Sequence, residues 1–133
     1  MSDTRLTLRV DFGSSRSVGP GKIRLLEAIA RSGSISQAGR ALGMSYRRAW
    51  LLIDDMNQCF RHAVVTAKPG GSQGGGAVLT EFGAELVRDY RAIETAAEVA
   101  AKKRLRGLEA ALRKSRAAKV AEPKKTSIRR RKP

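Results

Sequence analysis

Twice between residues 33 and 45 the sequence sets a glycine just ahead of a serine, at Gly33-Ser34 and around Met44 at Gly43 and Ser45. Each pair reads as a helix stop followed by a helix start. Glycine ends a helix in the left-handed conformation, and serine caps the next one through its hydroxyl. Before the first pair, Ile23, Leu26, Ile29 and Ala30 recur at helical spacing from Lys22 onward, with Leu25 beside them and Pro20 suited to the first turn. Between the pairs, Ala38, Ala41 and Leu42 are the inward positions of a short second helix. Ser34 with Gln37 fits a capping box there, and Ser36 is the alternative N-cap. After Ser45, a third helix carries the stripe Ala49, Leu52, Ile53, Met56 and Phe60. Two short helices joined through Gly43-Met44-Ser45 make a helix-turn-helix.

On either side of these helices the period changes to two. Residues 5–12 place Leu6, Leu8, Val10 and Phe12 on one face of a half-buried strand, and Gly13 to Gly21 reads as a turn-rich connector. Val64 to Lys68 and Ala77 to Thr80 read as two more short strands. They flank Pro69 to Gly76, a segment with five glycines in eight residues, in the place where a winged helix carries its wing. Thr80 caps a fourth helix, and Glu81 in its first turn suits the positive end of the dipole. Its stripe runs Phe82, Leu86, Tyr90, Ile93, Ala97 and Ala100, with Leu105, Leu108 and Leu112 in continuation. From 80 to 106 such a helix is about 40 Å long, so it overhangs a small body and its apolar stripe needs a partner. Gly107 weakens it by about 1 kcal/mol relative to alanine, and fraying is expected from there. The expected fold is mainly α (α+β), with residues 1–106 as the folded unit and 107–133 as a basic tail without assigned structure.

The charge follows the same division. The chain has 133 residues and a formal net charge of +15. Residues 1–100 hold 13 basic and 10 acidic side chains, whereas residues 101–133 hold 14 and 2. A cationic block of that kind self-repels, buries little and suits a polyanionic partner through neutralised phosphates and released counterions. The alternative is a tail that only aids solubility. The lone Cys59 excludes a disulfide scaffold, an iron–sulfur cluster and an all-cysteine zinc site. No segment approaches the roughly 18 consecutive apolar residues of a membrane span. The expectation is a soluble, cytoplasmic, nucleoid-associated protein with no membrane partner.

With Ala49, Ile53, Met56 and Phe60 turned inward, the third helix points Arg47, Leu51 and Asp54 outward. Tyr46 and Trp50 flank one side, Arg48 and Asp55 the other. Two arginines in a first turn oppose the helix dipole, at about 0.3–1 kcal/mol each. Their placement makes sense if that end enters a DNA major groove. There arginine can grip guanine O6 and N7, Tyr46 can donate to bases or phosphates, and Leu51 can meet a thymine methyl. The alternative is a solvated basic face with Trp50 half-buried against its neighbour. The start of the second helix at Ser34–Ser36 offers free N–H groups to a phosphate. Lys68, Ser72 and Gln73 are placed for the adjacent minor groove or backbone, or else belong to a merely flexible loop. No Gly-Lys-Ser/Thr follows the glycines, so a nucleotide-binding loop fails. Cys59 and His62 lie three apart, but zinc needs about four ligands. Asp54 and Asp55 diverge on a helix. No catalytic constellation, metal site or cofactor is expected, and the chain does not read as an enzyme.

The stretch from about Lys22 to Glu94, GKIRLLEAIARSGSISQAGRALGMSYRRAWLLIDDMNQCF followed by a glycine-rich wing and LTEFGAELV, resembles the N-terminal domain of the ModE family of molybdate-responsive transcriptional regulators. More distantly it is similar to LysR-type DNA-binding domains. The segment MSYRRAWLLIDDMN is the most specific part. The resemblance implies a winged helix-turn-helix homodimer on double-stranded DNA, with the long fourth helix (Leu86, Tyr90, Ile93, Ala97) and the N-terminal strand region in the dimer contact. It also implies recognition through Ser45, Tyr46, Arg47, Arg48 and Trp50, and the residue-level reading adds Ser34, Ser36 and Lys68. ModE proteins bind molybdate through C-terminal molbindin-type domains. The basic tail is too short and too charged for that module, so the expectation is DNA binding without a small-molecule effector. The remaining alternatives are a nucleoid-type binder without sequence preference, in which the tail dominates, and a protein-interaction module using Tyr90 and Ile93. Removing residues 113–133 is expected to shallow the salt dependence of duplex binding while leaving sequence preference largely intact, as read from titrations at several ionic strengths. Loss of preference would make the tail a specificity arm instead.

Overall fold

A computed structural model describes residues 3–68 and 76–114. The elements follow in the order β1 (Val10–Phe12), β2 (Arg16–Val18), α1 (Pro20–Ser32), α2 (Ile35–Ala41), α3 (Tyr46–Cys59), β3 (Val65–Lys68), β4 (Gly76–Leu79) and α4 (Glu81–Ala110). Serine and threonine hydroxyls start three of the four helices. Ser34 Oγ accepts from the Gln37 N–H at 3.0 Å, Ser45 Oγ from Arg48 at 3.1 Å, and Thr80 Oγ1 from Gly83 at 2.8 Å. The N-cap of α2 is therefore Ser34 and not Ser36. Helix α1 starts on Pro20 without a side-chain cap, which costs little because proline has no N–H to satisfy. Gly33 at φ 71° and Gly43 at φ 73° close α1 and α2 in the left-handed region, where a side chain would be strained.

Three helices wrap one core. Ile23, Leu25, Leu26 and Ile29 of α1 meet Ala38 of α2, Ala49, Ile53 and Met56 of α3, and Val64, all buried. Each Ile, Leu or Met side chain so buried stabilises the fold by roughly 1.5–3 kcal/mol. The α2–α3 crossing is tight: a Cβ on Gly39 would sit 3.2 Å from Ala49 Cβ and 3.3 Å from the Met44 carbonyl. The wing is the antiparallel pair β3–β4, in register from Val65 opposite Leu79 to Lys68 opposite Gly76. Three phenyl rings bridge the elements outside the core. Phe12 meets Phe60 edge-on at 5.8 Å, and Phe60 meets Phe82 at 5.2 Å. This is the expected α+β winged helix, with a long last helix.

Several expectations are corrected in detail. The alternation over residues 5–12 forms a strand only at Val10–Phe12, because its partner β2, lying inside the predicted connector, is three residues long. Leu8 instead offers its carbonyl to the Tyr90 hydroxyl at 2.6 Å, so this segment packs beside α4. Ala30 and Ala41 are exposed, and Ala28 and Gly39 take the inward places. Ala100 is also exposed. Helix α4 continues through Gly107 to Ala110, where the sequence predicts fraying. A local penalty of about 1 kcal/mol does not stop a helix flanked by Leu105, Leu108 and Ala110. Ser72, Gln73 and the tail beyond Lys114 lie outside the described residues.

An ion cluster joins the first and last helices. Arg91 donates to both Glu27 carboxylate oxygens at 3.0 and 2.9 Å and to Glu94 at 2.7 Å. The hydrogen bonds from Arg91 hold the Glu27 carboxyl below its ordinary range against the opposing effect of its partial burial, and Arg91 itself is held above its ordinary value. A lowered carboxylate pKa adds stability above the unfolded value, and that stability is lost as pH falls through the folded one. Glu27→Gln should therefore flatten the acid limb of stability against pH, read from urea midpoints on either side of about pH 4. An equal offset at every pH would leave packing alone as the role of Glu27. The glycines of α4 give a second test. A Cβ on Gly83 would lie 2.2 Å from the Val64 carbonyl oxygen, whereas one on Gly107 meets nothing within 4 Å. Thermal melts should show Gly83→Ala destabilised by about 2 kcal/mol or more and Gly107→Ala stabilised by about 0.5–1 kcal/mol.

Candidate nucleic-acid interface

The inner stripe of α3 fixes what the helix shows to solvent. With Ala49, Ile53 and Met56 buried, its first turn and outer face are left exposed: Tyr46 at 55%, Trp50 at 46% and Leu51 at 45%, with Arg47 and Arg48 beside them. No acidic residue stands in that first turn. Neither the Arg47 nor the Arg48 guanidinium makes a hydrogen bond or ion pair among the described residues. Both charges therefore face solvent at the end of the dipole that repels them. Further along the helix one of its two aspartates is tied to the body. Asp55 takes the Lys22 ammonium at 2.5 Å, and Lys22 also donates to the Ser17 carbonyl at 2.8 Å. That pair ties α3 to α1 and β2, and the Lys22 side chain is largely buried.

Beside this face runs a cleft of about 340 Å³. Ser34, Ile35 and Ser36 form one lip, Tyr46, Trp50, Ile53 and Asn57 of α3 the floor and wall, and Val65 to Ala67 with Gly76 and Ala77 of the wing the other side. The cleft gathers four of the residues singled out from the sequence: Ser34, Ser36, Tyr46 and Trp50. Ser45 is used as the cap of α3, and Arg47, Arg48 and Lys68 stand outside the cleft on exposed surface. Trp50, at 46% exposure, is half-buried, the state the alternative reading gave it, and it lines the cleft.

Sequence reasoning missed Asn57. Its Oδ1 accepts the Val64 N–H at 2.7 Å, and its Nδ2 donates to the Val65 carbonyl at 3.4 Å. The only signal in the sequence is a polar residue one turn after Ile53, beside an apolar stripe and shortly before a strand.

The four residues of α4 assigned to a subunit contact separate in the structure. Tyr90 is only 2% exposed, with its hydroxyl committed to Leu8, so it belongs to the core of its own protomer. Burial pushes its phenol above the ordinary value. Leu86 packs against the core and is half-buried, as is Ala97. Ile93 is 49% exposed, and Val99, Leu108 and Leu112 are more so. A groove of about 420 Å³ lies between residues 4–6 and the stretch of α4 from Thr95 to Glu109. Among the described residues no three His, Cys, Asp or Glu side chains are grouped to hold a metal ion, and no helix is long and apolar enough to cross a membrane.

Comparison with known proteins agrees with this geometry. The family of bacterial regulatory helix-turn-helix proteins, lysR family, matches residues 21–84, from the start of α1 to the first turn of α4. The molybdenum-pterin-binding protein MopB of Rhodobacter capsulatus is 51% identical over 77 residues, which cover 58% of this chain and 28% of MopB. The molybdenum transport protein ModE of Azotobacter vinelandii is 44% identical over 90 residues, 68% of this chain and 33% of that protein. The DNA-binding transcriptional dual regulator ModE of Escherichia coli K12 is 49% identical over 71 residues, 53% of this chain and 27% of that protein. The chain thus spans about a third or less of the length of these relatives. Residues 21–84 thus match a LysR-type helix-turn-helix domain, and this N-terminal region is homologous to ModE, MopA and MopB.

Proposed function

We propose that the protein is a DNA-binding transcriptional regulator and not an enzyme. The observation that carries this reading is the pair of arginines, Arg47 and Arg48, on the exposed first turn of α3, whose guanidinium groups have no partner among the described residues. A folded domain gains nothing from two cations at that end of a dipole unless an anion or an acceptor-rich surface meets them. In this reading the first half of α3 enters the major groove, where Arg47 takes guanine O6 and N7 and Leu51 reaches a thymine methyl. Tyr46 and Trp50, at the mouth of the cleft, sit against the sugar–phosphate strand, and Ser34, Ser36 and Ser45 offer donors to it. Lys68 on the wing and the basic tail neutralise further phosphates.

Two copies reading a (pseudo)palindrome, with half-sites about one helical turn apart, would join through α4. The exposed Ile93, with Leu86 and Ala97 beside it, supports that arrangement. Tyr90, buried at home, takes no direct part. Sedimentation of the pure protein reads the oligomeric state: a dimer at micromolar concentration agrees, and a monomer bound one to a site contradicts it. The charge of residues 101–133 favours one second reading, coverage of DNA without sequence preference. Footprints on random genomic fragments distinguish the two, as discrete protected sites or uniform coverage. On a selected site, Arg47→Ala should cost about 1–3 kcal/mol at one base pair and little elsewhere, measured by competition with single-position variants. An equal loss on every sequence would reassign Arg47 to the phosphates.

A further inference from the structure

We infer that Asn57 is a positioning residue for duplex binding, which sets the separation between the base-reading helix α3 and the wing. The proposal rests on the DNA-binding reading above and assigns a role to a residue that touches no base. Tyr46, Trp50, Ile53 and Asn57 stand at i, i+4, i+7 and i+11 of α3 and so share the face that forms one wall of the cleft. The opposite wall is β3 with the start of β4.

The root of that wall is held from three sides. Helix α4 holds it through Thr80, whose N–H donates to the Val64 carbonyl at 3.0 Å and whose hydroxyl donates to the Ala63 carbonyl at 2.7 Å. The α1–α2 corner holds it through the Gly33 carbonyl, which accepts the Ala77 N–H at 2.9 Å. From α3 the hold is Asn57, by both ends of its amide: Oδ1 on the Val64 N–H and Nδ2 on the Val65 carbonyl. Among the described residues no other side chain of α3 hydrogen-bonds to the wing. Val64 cannot yield toward α4, because its carbonyl already lies against Gly83 with no room for a Cβ.

The hold of α3 itself on the wing, among the described residues, is therefore one amide. An asparagine supplies a donor and an acceptor on one planar group, and here they meet the Val65 carbonyl and the Val64 N–H where the chain enters β3. Removing it leaves the Val64 N–H without its partner and lets the wing drift relative to Arg47 and Tyr46. A bidentate docking surface loses affinity when its two parts no longer fit one duplex geometry together.

The test uses the full chain and a duplex selected with the wild-type protein. Affinity and hydroxyl-radical footprints are measured for wild type, Asn57→Ala, Lys68→Ala and the double variant. Asn57→Asp, which keeps the acceptor for the Val64 N–H and the side-chain shape but loses the donor, is measured alongside and carries the test if the alanine variant fails to fold. Asn57→Ala is expected to weaken binding about tenfold, with protections at α3-contacted guanines retained and protection on the wing side lost. Asn57→Asp should fall between it and wild type. Lys68→Ala should cost several-fold in the wild-type background and less than about twofold on top of either Asn57 variant, because the wing no longer reaches its phosphate. Equal costs of Lys68→Ala in every background, with an unchanged footprint, would overturn the assignment. So would a uniform loss of all protections in step with a lowered melting temperature. A wild-type protein that selects no duplex and leaves no discrete footprint overturns instead the DNA-binding reading on which the proposal rests.

Discussion

Everything that α3 offers to solvent depends on how closely it can approach α2. The two helices cross at Gly39 and Ala49, where even one added methyl would press on the Ala49 Cβ and the Met44 carbonyl. That contact, together with the left-handed turn at Gly43, sets the angle at which α3 leaves the body. Once Ala49, Ile53 and Met56 are turned inward, helix geometry alone sends Arg47 and Leu51 outward. The small residues at the crossing and the long cations on the far side are two aspects of one arrangement.

Electrostatics then gives the helix a direction. Its acidic side is folded back through Asp55 onto Lys22, while its basic first turn faces water without a partner among the described residues. Such an arrangement is unfavourable for the isolated domain and favourable only toward something anionic. On another side of the same core, the N-terminal segment, α1 and the middle of α4 meet around Tyr90 and the Glu27–Arg91–Glu94 cluster. The Phe12–Phe60–Phe82 stack and the hydrogen bonds at Val64 tie this region to α3 and the wing.

The starts and stops of the helices were legible because they rest on local chemistry. Ser34, Ser45 and Thr80 can cap only the residues that follow them, and Gly33 and Gly43 can stop only the helix behind them. What stayed hidden rests on distant neighbours. Ala41 and Gly39 carry too little apolar surface for periodicity to choose between them, and the crossing with Ala49 makes the choice. Strand β2 is too short to show alternation. Tyr90 fits a dimer stripe until Leu8, 82 residues away, supplies a carbonyl for its hydroxyl. Asn57 looked like any polar residue near a helix end, and only the backbone of Val64 and Val65 gives its amide a purpose.

The central claim is that a rigid three-helix frame presents the first turn of α3 to the edges of bases. The most direct measurement is an amide chemical-shift titration of the isotopically labelled chain with a selected duplex at moderate ionic strength. The account predicts that the largest shifts fall on Ser45 to Leu51, with smaller ones at Ser34–Ser36 and along β3, while the core amides of α1 stay in place. Shifts confined to α4 or the C-terminal basic residues, with α3 unmoved, would contradict it.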